Sequence, residues 1–376
     1  MTAIEDYWAP NERTGFIPQR VPSTPAELAA SSSKTMQLLG SVTPRLGTMS
    51  DDEIEEFVAS LPVESEIRPE GMRPEGCEAA IRAYVSLTAH LIHRSRFATR
   101  RELPASVARP LWLLSEYVGR PPSLTYAAYV LGNLTSPIHF RARAEDIEIA
   151  QTPTGSKDEE WFVAVHLSVE SSGGEVVKAI GDIERALECG DEKLLVVALE
   201  SIGSCMAFAE RTMPTVRERL DADIFRDVIR PLLYGHDRIV FRGVPGEPTV
   251  MYIGETGAQS GVIRAVDAVL GTRHTDNMVA SMNRFLDCAP PAHRHYIKKA
   301  SELGHQLALA AGASVREARR AALRAVAQFR RTHLLVVMEY LVPQGKQLTT
   351  HGTGGTEFKA WLEKLIDETE AAVNAE

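Results

Sequence analysis

The sequence predicts an all-α protein: a large C-terminal helical bundle joined to a smaller, mainly helical N-terminal domain. Three observations carry that expectation. Apolar residues recur at three- and four-residue spacing in one segment after another of the 376-residue chain. Only RARAEDIEIAQ (141–151) reads as a stretch that could pair as strands. The composition, 44% hydrophobic and 24% charged, is that of a globular protein with ample material for a core.

Taken in order, residues 1–50 are rich in Pro, Ser and Thr and read as an extended arm with short helices. DDEIEEFVASLP opens with aspartates suited to a helix N-terminus. GCEAAIRAYVSLTAHLIHRSR and LPASVARPLWLLSEYVG follow with helical spacing, and PPSLTYAAYVLGNLT begins with two prolines at an expected helix start. The first domain is therefore placed at 1–150. A Pro-, Gly- and charge-containing stretch, QTPTGSKDEE (151–160), reads as the linker. The second domain, 161–376, holds further helical segments: WFVAVHLSVESSGGEVVKAIGDIERALEC, DEKLLVVALESIGSCMAFAERTM, TVRERLDADIFRDVIRPLL, SGVIRAVDAVLG, the stretch 293–310, and SVREARRAALRAVAQFRRTHLLVVMEYLV. Helical bundles commonly hold cofactors between facing helices.

The net charge of −9 argues against a nucleic-acid surface, which needs clustered basic charge. The arginines between Arg316 and Arg331 are diluted by apolar positions and read as a solvated helix face. Four widely spaced cysteines, without a CxxC pair, suggest neither a disulfide framework nor a zinc site. The N-terminus has no apolar stretch after a basic start, and the longest apolar runs are far short of a membrane span. A cytoplasmic setting with a small-molecule partner is expected, with no nucleic acid and no membrane; the oligomeric state is left open.

Several residues could carry chemistry. His333 shares a helix face with Val326, Phe329, Val336, Val337 and Tyr340. Alone it reads as a buried neutral imidazole, but a haem ligand needs the same apolar, aromatic setting. His166 follows Phe162 and Val163 on one face and admits the same two readings. Arg230, in IFRDVIRPLLYG, is a surface arginine or, beside a cavity, a fork for a carboxylate, with Phe225 available to pack on a ring. THGTGGTEF (350–358) is a linker or a lid. GETGAQSGVIRAVDAVLG (254–271) is a bland loop or a place where a flat macrocycle comes close to the backbone.

In this order the segments resemble the indoleamine 2,3-dioxygenase family of haem enzymes from about residue 50 to the C-terminus. PPSLTYAAYVLGNL, IFRDVIRPLLYG, GAQS, PPAHR (290–294), the Arg-x-x-His of RRTH (330–333) and GTGGT (352–356) carry the resemblance. It implies haem b (iron protoporphyrin IX) with O2 as co-substrate. His333 becomes the iron ligand, and Asp267 and Arg330 an ion pair beneath the haem. Arg230 takes the substrate carboxylate, Phe225 packs on the indole, and Thr353 meets the ammonium. Tyr126, Tyr129 and Phe162 line the indole pocket, and Thr256 and Gly257 lie above the haem.

The chain departs from the pattern twice: where these enzymes typically carry a distal serine it has His166, a histidine being what the sister tryptophan 2,3-dioxygenases use, and it has Tyr129 where the mammalian enzymes carry cysteine. The implied reaction inserts O2 across the indole C2–C3 bond of L-tryptophan or a related amino acid, giving N-formylkynurenine. His166 is the candidate for tuning it. A specialised biosynthetic oxygenase acting on a substituted tryptophan, and a non-catalytic haem or gas sensor, are the alternatives.

Overall fold

The computed structural model describes residues 2–63, 67–94, 101–310, 312–342 and 351–375. The helices used below are α1 (Pro74–His93), α2 (Ala105–Val118), α3 (Lys157–Glu170), α4 (Gly173–Cys189), α5 (Glu192–Thr212), α6 (Gly261–Val269), α7 (Asp276–Leu286), α8 (Pro291–Ala310), α9 (Ala313–Leu341) and α10 (Phe358–Ala375). The frame is helical, as the periodicity predicts.

The spine is α9, 29 residues and about 44 Å long. Its sequence holds no Gly or Pro and is rich in Ala, Arg and Leu, all good helix formers. It packs along α5 and α10, while α4 rests on α5 and α6 on α8. One continuous buried core runs from Ile4 in the arm to Tyr340 in α9. Among the described residues no helix is long and apolar enough to cross a membrane.

Several expectations are corrected. Among the described residues the strands are β1 (Glu102–Leu103), β2 (His236–Phe241) and β3 (Thr249–Tyr252), not 141–151. β1 runs parallel to β2, with Glu102 opposite Val240, and β2 antiparallel to β3, with Ile239 opposite Val250. Residues 141–151 form a 3-10 turn (Ala144–Asp146) and one isolated bridge, Leu134 to Ile149. The acidic cluster there favours turn over ladder, whereas DRIVF and TVMY flank a turn built on Gly243 and Gly246, both at positive φ.

The run 161–189 is two helices, broken at Ser171–Ser172. Gly173 and Gly174 follow the break because other backbone lies against them: a Cβ on Gly174 would sit 2.5 Å from the carbonyl oxygen of Glu12. The arm is thus part of the core. Trp8 donates to Glu78 Oε1 (2.7 Å), and the rings of Trp8 and Phe16 meet His293 edge-on at 5.4 and 5.0 Å. The stretch placed as a linker is also built in. Gln151, Thr152 and Pro153 are buried, and α3 starts at Lys157 behind a Ser156 cap that accepts from the Glu159 N–H (3.2 Å).

Candidate active site

Two irregular helical turns shape the cavity. Ala127–Leu131 and Phe225–Ile229 are both π-turns, the second followed by a 3-10 turn at Arg230–Leu233. Pro231 cannot donate to a helical ladder, so the backbone there loosens as its sequence predicts. The first turn begins just after Tyr126, and the second carries Phe225 and leads into Arg230.

Between these turns and α3, α9 and α10 lie two adjoining chambers, of about 750 and 1050 Å³. His166, His333, Met213, Gly257, Ala258, Phe285 and Trp361 line both. The first also meets Tyr126, Asp267, Phe329 and Arg330; the second meets Phe162, Phe225, Arg230, Thr256 and Thr353. Residues far apart in sequence, each singled out by its local pattern, therefore surround one space.

Tyr129 is the exception. It lines neither chamber. Its hydroxyl donates to Glu159 Oε1 at 2.8 Å, which draws the phenol into the core behind Phe162, with ring centroids 6.4 Å apart. Glu159 is itself held by the Thr154 N–H (2.7 Å) and hydroxyl (2.6 Å). A buried carboxyl competing for the hydroxyl explains why the expected pocket residue is a core residue.

The two histidines differ in their partners. His166 Nδ1 lies 2.8 Å from the carbonyl oxygen of Phe162, so Nδ1 carries the proton and Nε2 keeps a lone pair. Burial pushes the His166 ring below its ordinary value, against the pull of that carbonyl. No hydrogen bond to either nitrogen of His333 occurs among the described residues. Its ring lies parallel to that of Phe329, four positions earlier, with centroids 6.1 Å apart. Burial and the nearby His166 press it down to about 4, so it is a neutral donor at neutral pH. Phe162 sits against His166 (4.4 Å) and Phe225 (5.0 Å), forming an aromatic wall.

Behind His333 is a charged network. Arg330 Nη2 meets Asp267 Oδ1 at 3.0 Å, both side chains almost wholly buried. Arg330 also donates to the Thr369 hydroxyl. Asp267 Oδ2 meets His274 Nε2 at 2.8 Å, whose Nδ1 meets Glu368 at 2.6 Å. Burial alone would raise Asp267; Arg330, His274 and Arg264 outweigh it and hold the carboxyl well below the usual range.

The glycine loop closes over the second chamber. Arg230 Nη2 donates to the His351 carbonyl (2.6 Å), and the Gly254 N–H to the Thr353 carbonyl (3.3 Å). Gly354 packs so tightly that a Cβ there would lie 2.7 Å from Phe285 and 3.2 Å from Thr256.

Sequence reasoning missed two buried carboxyls on these walls. Glu170 lies one turn after His166, and this spacing is a usable signal. It accepts from Tyr126 (3.2 Å) and from Ser260, and burial raises it to about 7. Glu255 precedes Thr256 and is raised by burial to about 8.

The residues fit a haem. His333 offers an unpaired neutral imidazole on a rigid helix, the surrounding walls are mainly apolar, and Gly257 presents no side chain. No group of three or more His, Cys, Asp or Glu that could hold a bare metal ion occurs among the described residues.

A family model for indoleamine 2,3-dioxygenase matches residues 4–372. The chain belongs to the indoleamine 2,3-dioxygenase family. It is thus an oxidoreductase of a haem- and O2-dependent family, the one its motifs resemble. It is 29% identical over 303 residues to an indoleamine 2,3-dioxygenase of Penicillium citrinum, covering 73% of this chain and 68% of the relative. It is 27% identical over 357 residues to indoleamine 2,3-dioxygenase 1 of Rattus norvegicus, covering 86% of each. A myoglobin of Haliotis diversicolor is 26% identical over 287 residues, covering 72% of this chain and 74% of that one.

Proposed function

We propose that the chain binds haem through His333 and inserts O2 across the indole C2–C3 bond of L-tryptophan or a related indole amino acid, giving N-formylkynurenine. The observation that carries this reading is the meeting of His333, His166, Arg230 and an aromatic wall around adjoining chambers. Bound haem supplies the iron that binds and activates O2. The chain's own residues orient the substrate.

Arg230 takes the α-carboxylate by its planar fork. Thr353, in the closing loop, is placed for the ammonium. Phe162 and Phe225 hold the ring flat. His166 Nε2, left as an acceptor by the bond at Nδ1, receives the indole N–H. Thr256 and Gly257 border the macrocycle, and the Asp267–Arg330 pair fixes the helices behind His333.

The test is a spectrum of the purified, haem-reconstituted protein, ferric and then dithionite-reduced, with products followed after adding L-tryptophan and O2. A Soret band and N-formylkynurenine support the reading; absence of a Soret band sinks it. Mass spectrometry with labelled O2 separates insertion of two atoms from insertion of one. The latter would make the chain a specialised mono-oxygenase acting on a substituted tryptophan. Reversible O2 binding without turnover is a third reading, prompted by the Haliotis relative's name. The second chamber, walled by Phe162, Phe225 and Arg230, weighs against it, because a diatomic gas needs neither a ring-sized cleft nor a cation beside it.

A further inference from the structure

Glu255 is the only carboxyl among the described residues that line the second chamber. It is 3% exposed, and its Oε1 is enclosed without a hydrogen-bond partner among those residues. Tyr126 and Tyr129 both lie within reach of its charge. Neither donates to it: the Tyr126 hydroxyl is committed to Glu170 and the Tyr129 hydroxyl to Glu159. A buried carboxyl with no donor is costly, and a group kept in that condition calls for an explanation. A bound ligand that completes it is one.

Which part of a ligand reaches Glu255 follows from Arg230. Arg230 is held to the His351 carbonyl (2.6 Å) and over the Tyr234 ring, whereas the segment carrying Glu255 is tied to Tyr126 through Gln259, which donates to the Gly254 carbonyl (2.8 Å) and accepts from the Tyr126 N–H (2.8 Å). The α-carboxylate and α-ammonium of an amino acid share one carbon. A substrate held by Arg230, with its ammonium at Thr353, brings its ring towards Tyr126, Phe162 and Glu255. At that end the wall offers His166 Nε2 and the Glu255 carboxyl. An unsubstituted indole has a single N–H to share between them.

We propose that Glu255 is a specificity-determining residue that hydrogen-bonds a hydroxyl or amino substituent on the benzo ring of the substrate. The preferred substrate is then a ring-hydroxylated or ring-aminated tryptophan. This inference rests on the dioxygenase reading and names the substrate class of the same site.

The experiment uses the haem-loaded enzyme with L-tryptophan, 5-hydroxy-, 6-hydroxy- and 6-amino-L-tryptophan, and the 5- and 6-fluoro analogues, which lack a donor. Binding is read from the Soret shift and turnover from kcat/KM. At least one hydroxy or amino substrate is expected to exceed tryptophan and its fluoro counterpart by about tenfold or more, the scale at which a site built for a polar group rejects its absence. Glu255→Ala should bring that ratio to within about twofold, and Glu255→Gln, which keeps a hydrogen-bonding amide, should preserve part of it. Equal or better use of tryptophan by the unaltered enzyme overturns the inference, as does an unchanged ratio in a Glu255→Ala protein with a normal Soret band and melting curve. If Glu255→Ala fails to fold, the Gln variant and the unaltered enzyme's own preference decide. An enzyme that turns over every analogue without preference sinks the role of Glu255 alone. A protein that binds no haem, or oxidises no indole, sinks the parent reading and the inference with it.

Discussion

The guanidinium of Arg230 donates to the carbonyl oxygen of His351 at 2.6 Å, joining the turn after Phe225 to the glycine loop across 121 residues. The same side chain lines the second chamber. The residue proposed to take the substrate carboxylate thus also holds the loop.

Arg230→Ala is expected to lower kcat/KM for tryptophan by roughly a hundredfold, the scale of a lost charge-assisted bond plus a disordered loop. Tryptamine, which lacks the carboxylate, should lose less than about tenfold from the loop effect alone. Steady-state kinetics with both substrates check this. Equal losses would mean that Arg230 acts only through the loop.

Gly354→Ala places a methyl against Phe285 and Thr256, closer than side chains tolerate. The loop must move, and turnover should fall more than stability does. Parallel melting curves and kinetics are the measurement; a melting midpoint lowered by more than about 5 °C with turnover intact would contradict it.

Asp267→Asn leaves Arg330 buried without its countercharge and weakens the link to His274. Breaking one side of a buried pair costs on the order of 3–5 kcal/mol. Urea unfolding should show that loss, and haem should dissociate faster because α6 and α9 are no longer pinned together behind His333.

His333→Gly should abolish haem retention on a desalting column while leaving the helical circular-dichroism signal in place. Added imidazole is expected to restore a Soret band in the vacated space. A normal Soret band without imidazole would assign the iron to another ligand.

Acid should destabilise the fold through three rings remote from the chambers. Burial holds His90 and His236 down to about 4 and His293 to about 3, against an ordinary value of 6.5. The unfolded chain therefore takes up these protons first as pH falls. Their contribution is complete above about 6.5 and is lost between there and about 4 for His90 and His236 and about 3 for His293, at most roughly 3 kcal/mol for each of the first two and roughly 5 kcal/mol for the third. The melting midpoint should fall across that window, and less steeply in His236→Gln.

Much of this was legible in the sequence because it is local. The α9 pattern needs only its own spacing, and RxxH places Arg330 and His333 on nearby faces of one helix. Tyr129 was not legible, since its direction is decided by Glu159, thirty residues on, which captures the hydroxyl. Glu255 was hidden for the converse reason: a glutamate in a polar, glycine-bearing loop reads as solvated, and only tertiary packing buries it. The sheet was missed because β1 is two residues long and pairs across more than a hundred positions. β2 and β3 are neighbours in sequence, but at six and four residues they leave little periodicity to read.

The seating of the arm also sets the order in which the chain can be completed during synthesis. Trp8 and Phe16 leave the ribosome long before His293 and Tyr296, whose rings they meet and which are made nearly three hundred residues later. At ordinary elongation rates that interval is about 15–60 s. For that time two large aromatic rings lack their final neighbours, and the nascent chain offers them to chaperones or to itself. Yield in a host cell should therefore respond to chaperone supply and growth temperature more strongly than the finished protein's own stability would indicate.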